Sequence, residues 1–425
     1  MKDILKKIGP GLLFASSSIG TSHLVLSTRA GAHHGLVYLW IIILCLLIKY
    51  PFFEFAPRYV SATGHSLLRG YKKQGKWAIL MFMLIIGISM FAVVGAVGAV
   101  SAGILSTMLN FNIPMPYLLG GLLVLTALLL LVGGYKALDI FIKWLSALLF
   151  ISVAIAFIAV LFNGPVEPVS DFVAPPILKG AGLALLISLL GWMPTGMEAS
   201  AMHSFWVLEK EKVSGLKANL RETLFDFKLG YWMTVILALM FALIGAFTVF
   251  GSGNLLEGSS TDISNQLLQI FVKNIGPWSY PLIVIAAFGT IYGTLITAWD
   301  AFSRGFVRSL RALKYETIDK SEEQELFLEK FYPITMIIIG IGGFLLFILS
   351  SSNMIKLLEG ATIFSFLAGP VIAYLNLKSI QGDDIPEDHN PPQWMIVLAW
   401  VGIISMLAFA LYYLYTLMIH GSVGH

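Results

Sequence analysis

Ser16-Ser17-Ser18-Ile19-Gly20-Thr21-Ser22-His23 sits at the centre of the first long apolar run of this 425-residue chain, and seven of its eight residues are small or polar. The run opens on Gly9-Pro10-Gly11. A later apolar run is interrupted halfway along by Gly191-Trp192-Met193-Pro194-Thr195-Gly196. Pro194 removes a backbone donor and clashes with the preceding turn, and Gly196 releases the chain from helical geometry. What two such breaks mean depends on the solvent around them.

That solvent is lipid. Apolar residues make up 57% of the chain and charged residues 12%, with a mean hydropathy of +0.84, whereas a soluble domain carries roughly 25% charge. So little charge cannot cover several soluble domains, and the 40 glycines suit membrane helices. The composition excludes a soluble enzyme, a nucleic-acid binder and a disordered chain. The single cysteine, Cys45, excludes an intrachain disulfide. The opening MKDILKKIGPGLLFASSS has the basic start of a signal peptide, but no small-x-small cleavage site follows, and it reads as the first membrane helix.

A membrane helix needs about 20 mostly apolar residues. Eleven segments qualify, near 9–30, 36–58, 77–108, 115–133, 138–162, 180–206, 229–250, 278–305, 332–350, 356–377 and 394–418; the longer loops are 163–179, 207–228, 251–277, 306–331 and 378–393. Lys and Arg crowd one side of this arrangement: Lys2, Lys6, Lys7, Arg58, Arg69, Lys72, Lys73, Lys76, Lys136, Lys210, Lys212, Lys217, Arg221, Lys228, Arg304, Arg308, Arg311, Lys314, Lys320 and Lys330. Arg29, Lys179, Lys273 and Lys356 stand opposite. The positive-inside rule then places the N-terminus in the cytoplasm and the C-terminus outside.

The two breaks fall in spans 1 and 6, each of which opens a set of five spans. Because five is odd, the two copies of such a repeat enter the membrane from opposite sides. Non-helical backbone at that depth survives only where it lines a cavity or is buried in protein. Matching breaks in inverted repeats point to a secondary transporter with its site at the midplane. The expected fold is all-α: one transmembrane domain over residues 1–425, with repeats at 9–162 and 180–377 and an extra, peripheral helix at 394–418.

The residues of span 1 and its surroundings resemble the Nramp family of divalent-metal transporters, which have the LeuT-type five-plus-five fold. Gly9-Pro10, Gly31, Gly35, Trp40, Arg58 and Thr63-Gly64 match the family's spacing, as does Met193-Pro194 in span 6. The resemblance implies alternating access and a metal cargo, with a proton as coupling ion. The departures fall on the chemistry. The family's Asp-Pro-Gly-Asn in span 1 is here Gly20-Thr21-Ser22-His23, the His after the span 6 Pro is Thr195, and the span 10 Gln is Thr362. Family members have Glu-Gly-Phe at the end of span 8, where this chain has Arg304-Gly305-Phe306. The acids of span 3 and the Arg of span 9 that serve the family's proton route are missing from 77–108 and 332–350.

Ionisable residues at membrane depth are functional candidates by default. The site is expected between Gly20, Thr21, Ser22 and His23 on span 1, Met193, Thr195, Gly196 and Glu198 on span 6, and Thr362 on span 10. His23, Met193 and Glu198 are the candidate metal ligands; His23, Glu198, His203 and Asp300 are the proton or coupling candidates. Each has a structural alternative. Glu198 completes a Thr-x-x-Glu capping box with Thr195. Asp300 and Arg304 have the i,i+4 spacing of a local ion pair. His23 can serve as a nitrogen ligand, carry a proton or bond a carbonyl freed by the break. Met193 can be core filler. Glu54 pairs with Lys49 or acts as a gate, while His33, His34, Lys356 and Glu359 read as solvated.

No phosphate loop or nucleophile–base pair is present, and Glu198 and His203 lack the i,i+4 spacing of a zinc hydrolase. The chain is therefore expected to be no enzyme and to need no cofactor. Its partners are the lipid bilayer and a small ion or solute, without nucleic acid, and it is expected as a monomer of the plasma (inner) membrane. Two cargoes remain open: a metal cation at a rebuilt site, with compensating charge from Glu198, or a small organic or anionic solute held by backbone donors at the Gly-Thr-Ser break.

Overall fold

The computed structural model describes residues 9–109, 113–253, 266, 268–270, 272–273, 276–318, 321–350 and 354–420. Every regular element among them is helical. Nine of these helices are long and apolar enough to cross a membrane, and the two broken spans bring the number to the expected eleven.

Span 1 is a helix at Pro10–Ser18, a π-helical turn at Ser22–Ser27 and a helix at Thr28–His34. Span 2 is Val37–Thr63, followed by a short helix at Leu67–Lys73, and span 3 is Lys76–Leu109. The run Met115–Asn163 becomes spans 4 and 5 at Gly134, whose φ of 55° and ψ of −162° lie outside helical geometry. Span 6 is Gly180–Trp192 and Ala199–Ser214; span 7 is Leu220–Thr248. Spans 8 to 11 are Tyr280–Lys314, Glu322–Leu349, Met354–Ile380 and Gln393–His420.

The loops expected at 207–228 and 306–331 are largely helical, because the sequence there supplies helix ends rather than breakers. Asn219 and Glu222 form a reciprocal capping box that starts span 7. Span 8 runs on to Lys314 and carries Arg304, Arg308 and Arg311 beyond its apolar part. Glu322, Glu323 and Glu325 fill the first turn of span 9, where the helix end favours negative charge. Most of the expected loop 251–277 lies outside the described residues.

In lipid, helices gain from close packing rather than from hydrophobic exclusion, so small residues mark the contacts. Spans 1 and 7 touch along their length in this way. A Cβ on Gly11 or Gly230 would overlap the other helix's backbone, and the same holds for Gly31 against Ala242 and Gly245 against Thr28. Spans 1, 2, 3, 6, 7, 8 and 10 form the interior. Span 8 is the most enclosed, with 83% of its apolar window buried, against 33% for spans 4, 5, 9 and 11. The outer spans present Val132, Ile341, Leu349, Ile404 and Met418 outward, an apolar surface suited to acyl chains. Both breaks lie at the centre of this bundle.

Candidate substrate site

The break in span 1 works by redirecting hydrogen bonds. The first helix ends at Ile19, whose ψ of 70° turns the chain. The following π-helical turn is wider than an α-turn, so carbonyls on either side lose their usual amides. Hydroxyls take them instead: Thr294 of span 8 donates to Ser16 O (2.8 Å), Ser22 to Ser18 O (2.7 Å) and Ser27 to Ser22 O (3.2 Å). The run of Ser and Thr is what makes a break at this depth tolerable.

The break in span 6 is held differently. Pro194 has no N–H, so Leu190 O, four residues back, has no amide to accept from. Lys49 of span 2 supplies the donor, with Nζ 2.5 Å from Leu190 O and 3.2 Å from Gly191 O. One turn earlier, Cys45 Sγ donates to Met193 O at 3.4 Å. The expected pairing of Lys49 with Glu54 is therefore corrected. Glu54 bonds Arg58 at 2.5 Å and accepts from Tyr50, because Arg58 lies one turn along the same helix face.

Between the breaks lies a cavity of about 50 Å³. Its wall is made by Ser17, Ser18, Gly20, Thr21 and Ser22 of span 1 and by Thr195, Gly196, Glu198, Met202 and Trp206 of span 6. Val93 and Val97 of span 3 and Thr294 and Ala298 of span 8 complete it. That volume admits a few water molecules or a partly hydrated ion. Glu198 is 4% exposed and Thr21 1%, while Ser17 and Thr195 on the same wall are half-buried.

Four hydroxyls of the wall share one property. Ser17 and Ser18 both donate to Phe14 O (2.8 and 2.7 Å), Thr294 donates to Ser16 O, and the Ser22 proton is held by Ser18 O or by His23 Nδ1, 2.9 Å away. With their protons so engaged, these oxygens offer lone pairs to the cavity. His23 N and Leu24 N both bond Gly20 O (3.2 and 3.0 Å), so amides at the restart of span 1 are occupied. Glu198 adds the carboxylate. It does not cap its helix: it is itself the residue before Ala199 and its side chain makes no capping bond, so no capping box with Thr195 forms. It accepts from Ser365 of span 10 instead, at 3.1 Å.

Several expected site residues lie elsewhere. His23 is fully buried and faces span 7, with Nε2 3.1 Å from Thr234 O and Nδ1 2.9 Å from Ser22 Oγ. In the Nε2–H tautomer, assigned from these partners, Nε2 donates to Thr234 O and Nδ1 accepts from Ser22, whose single proton is shared with Ser18 O, so no ring nitrogen is left for a ligand. Met193 is fully buried off the cavity wall; the methionine that lines the wall is Met202, one helical turn beyond Glu198. Thr362 donates to Glu359 O (2.8 Å), and its backbone packs on Gly191, where a Cβ would lie 3.0 Å from Thr362 C. Ser365 takes the position expected of it. Gly20 packs so closely on span 8 that a Cβ would lie 2.8 Å from Thr294 Cβ, leaving no room for the family's aspartate.

Asp300 stands one side chain behind the wall. It accepts from Trp206 Nε1 (3.1 Å), Tyr332 (2.7 Å) and Arg304 Nε (2.9 Å), so the expected ion pair is formed. Arg304 and Arg308 both reach Glu209, at 2.9 and 2.7 Å. This network ends at a second cavity of about 200 Å³ at the lysine- and arginine-rich end. His203 lies on another face of the helix, 1% exposed, between the rings of Phe14 and Phe227, with neither nitrogen bonded. His34, expected in solvent, is 4% exposed and stacks on Tyr38, and Glu359 pairs with Arg29 at 3.8 Å. The side chain of Lys356 lies outside the described residues.

One functional group left no trace in the sequence. Asp226 of span 7 accepts from Gly9 N (2.9 Å) and Gly11 N (2.7 Å), fastening the start of span 1. Lys210 and Lys143 converge on Asp139 beside it, at 2.8 and 2.9 Å. Among the described residues, no three His, Cys, Asp or Glu side chains converge as a metal-ligand set. A cation in the central cavity would meet one carboxylate and neutral acceptors.

The profile of the family described as natural resistance-associated macrophage protein-like (Nramp) matches residues 11–416. An uncharacterized protein of Pasteurella multocida is 33% identical over 412 residues, covering 96% of this chain and 91% of that protein. The metal transporter Nramp5 of Oryza sativa is 26% identical over 291 residues, 64% of this chain and 52% of its own length. Among solved structures, the manganese transporter of Eremococcus coleocola superposes with a TM-score of 0.65 at 15% identity, covering 96% of this chain and 86% of that one. MhsT in complex with L-phenylalanine gives 0.62 at 15%, covering 95% and 98%. The likenesses agree with an all-helical transporter fold, two five-span halves and two broken helices. The chain belongs to the Nramp family of transporters, as a divergent member that lacks the Asp-Pro-Gly-Asn motif of span 1.

Proposed function

We propose that this protein is a secondary active transporter that moves a metal cation of the manganese or iron kind by alternating access, through the cavity between its two breaks. The observation that carries the reading is the direction of the hydroxyl protons. Ser17, Ser18 and Thr294 donate to carbonyls and Ser22 to Ser18 O or His23 Nδ1, which leaves oxygen lone pairs for the cavity, beside the Glu198 carboxylate. Such a wall attracts cations and repels carboxylates. A carboxylate would need the opposite polarity, and a cavity of about 50 Å³ is small for an organic solute. Hard oxygens suit manganese, and the Met202 thioether adds a softer contact that favours transition metals over magnesium and calcium. The names of the rice and Eremococcus coleocola relatives, a metal and a manganese transporter, agree with this cargo.

A coupled proton fits the buried acids. Glu198 can hold it at the cargo site, and Asp300, joined to Arg304 and Glu209, leads from the cavity wall toward the basic end of the bundle. That end faces the cytoplasm if the Lys and Arg excess orients the helices, in a plasma-membrane protein that works as a monomer. Manganese, iron and cobalt uptake into proteoliposomes tests the proposal, with Glu198→Gln as the control. Saturable uptake lost in the variant supports it; an active, folded preparation that moves none of the three ions contradicts it.

A further inference from the structure

We infer that Lys49 is a tethered cation whose ammonium fills a monovalent-cation site formed by the carbonyls that the span 6 break strips of their amides. The inference concerns span 2 and the first half of span 6 and does not depend on what the central cavity carries.

The geometry begins with Pro194, which deprives Leu190 O of its i+4 donor. Leu190 and Gly191 lie in the last turn of Gly180–Trp192, where the helix dipole concentrates negative potential. Lys49 Nζ sits 2.5 and 3.2 Å from the two oxygens, and Lys49 is 3% exposed. Among the described residues it forms no ion pair: Glu54, the nearest acid on its own helix, is engaged by Arg58 and Tyr50. Carbonyl dipoles therefore carry most of its compensation, with the Glu198 carboxylate acting electrostatically from across the break. Backbone carbonyls that replace the hydration shell of an ammonium will do the same for a dehydrated alkali cation. Because the charge here is bonded to span 2, the break stays compensated through a transport cycle without taking up or losing an ion at this point. Cys45, one turn before Lys49, donates to Met193 O, so the same helix face secures both sides of the Trp192 turn.

The test is the thermal stability of the purified full chain, with Lys49→Ala and Lys49→Arg, in N-methyl-D-glucamine, sodium, potassium or methylammonium chloride at equal ionic strength. Wild type and Lys49→Arg are expected to melt alike in all four salts. Lys49→Ala should melt several degrees lower in N-methyl-D-glucamine and recover saturably with sodium, potassium or methylammonium. Recovery of monodisperse Lys49→Ala only when a small cation is present throughout purification counts equally in favour. The inference is overturned if Lys49→Ala behaves the same in every salt, folded or not, or if wild type gains as much from small cations as the variant. Neither readout involves the cargo, so failure here leaves the transport proposal standing, and the reverse.

Discussion

The Ser365 hydroxyl donates to the Glu198 carboxylate, with Oγ 3.1 Å from Oε2 and 3.4 Å from Oε1. This bond joins span 10 to the restart of span 6 and points the carboxylate back over Gly196, where a Cβ would stand 2.5 Å from Oε1. Glu198 is thereby held at the cavity wall. In the proposed transport its role is electrostatic: a cation stripped of water needs a fixed negative charge nearby. Glu198→Gln keeps the shape and the Ser365 contact but removes the charge. Manganese uptake should fall by at least about tenfold, an energy of roughly 1.4 kcal/mol, while the melting temperature stays near wild type. Glu198→Asp, charged but shorter, should retain part of the uptake and raise KM.

Gly20→Asp restores the family's residue but not its site. The new Cβ would press on Thr294, so the single variant should be destabilised by about 1–3 kcal/mol through overpacking. Gly20→Asp with Thr294→Ala removes the obstructing methyl and hydroxyl and should regain part of that loss. Thermal unfolding of the two variants in detergent measures the difference; equal melting temperatures for Gly20→Asp and wild type would refute the packing argument.

Two methionines separate sequence expectation from structure. Met193 carries the family's position, yet Met202 reaches the cavity. Met202→Leu should leave the fold intact and shift uptake competition, so that magnesium and calcium compete better against manganese. Met193→Leu should alter competition little. The reverse pattern would assign the thioether role to Met193.

Asp226 holds the amides of Gly9 and Gly11 and so restrains the first half of span 1. Bonds from backbone amides to a buried carboxylate contribute about 1.5–3 kcal/mol each. Asp226→Asn weakens both, and span 1 should open more readily at the basic end. With Cys45→Ala as background, a reporter Ser18→Cys should be labelled faster by a membrane-impermeant thiol reagent from that side when Asp226→Asn is added. Unchanged labelling would show that other contacts hold the helix.

The fold was largely legible because it rests on features one sequence states directly: eleven apolar runs, two of them broken by polar or Pro-Gly segments at matching places. The breaks located a cavity, and Thr21, Ser22, Gly20, Thr195, Gly196 and Glu198 line it. What could not be read was direction. His23 follows Ser22 in the chain, but the wide π-turn swings it to span 7. Met202 stands one helical turn from Glu198, a spacing that was available as a signal, whereas Ser17 lies across the break from Thr21. Thr294, Ser365, Lys49 and Asp226 come from distant spans, and only tertiary packing brings them to the breaks. Local ion pairs at i,i+4, Asp300–Arg304 and Glu54–Arg58, were predictable from spacing; the partnership of Lys49 with the orphaned carbonyl of Leu190 was not.

The central claim is that a cation sits between the two breaks, against Glu198. Anomalous diffraction from crystals grown with manganese tests it most directly. The predicted result is a peak inside the cavity, in contact with the Glu198 carboxylate and hydroxyls of Ser17, Ser18, Ser22 or Thr294, and absent from Glu198→Gln crystals. A cavity without a peak at saturating manganese, or a peak equally strong in Glu198→Gln, would contradict it.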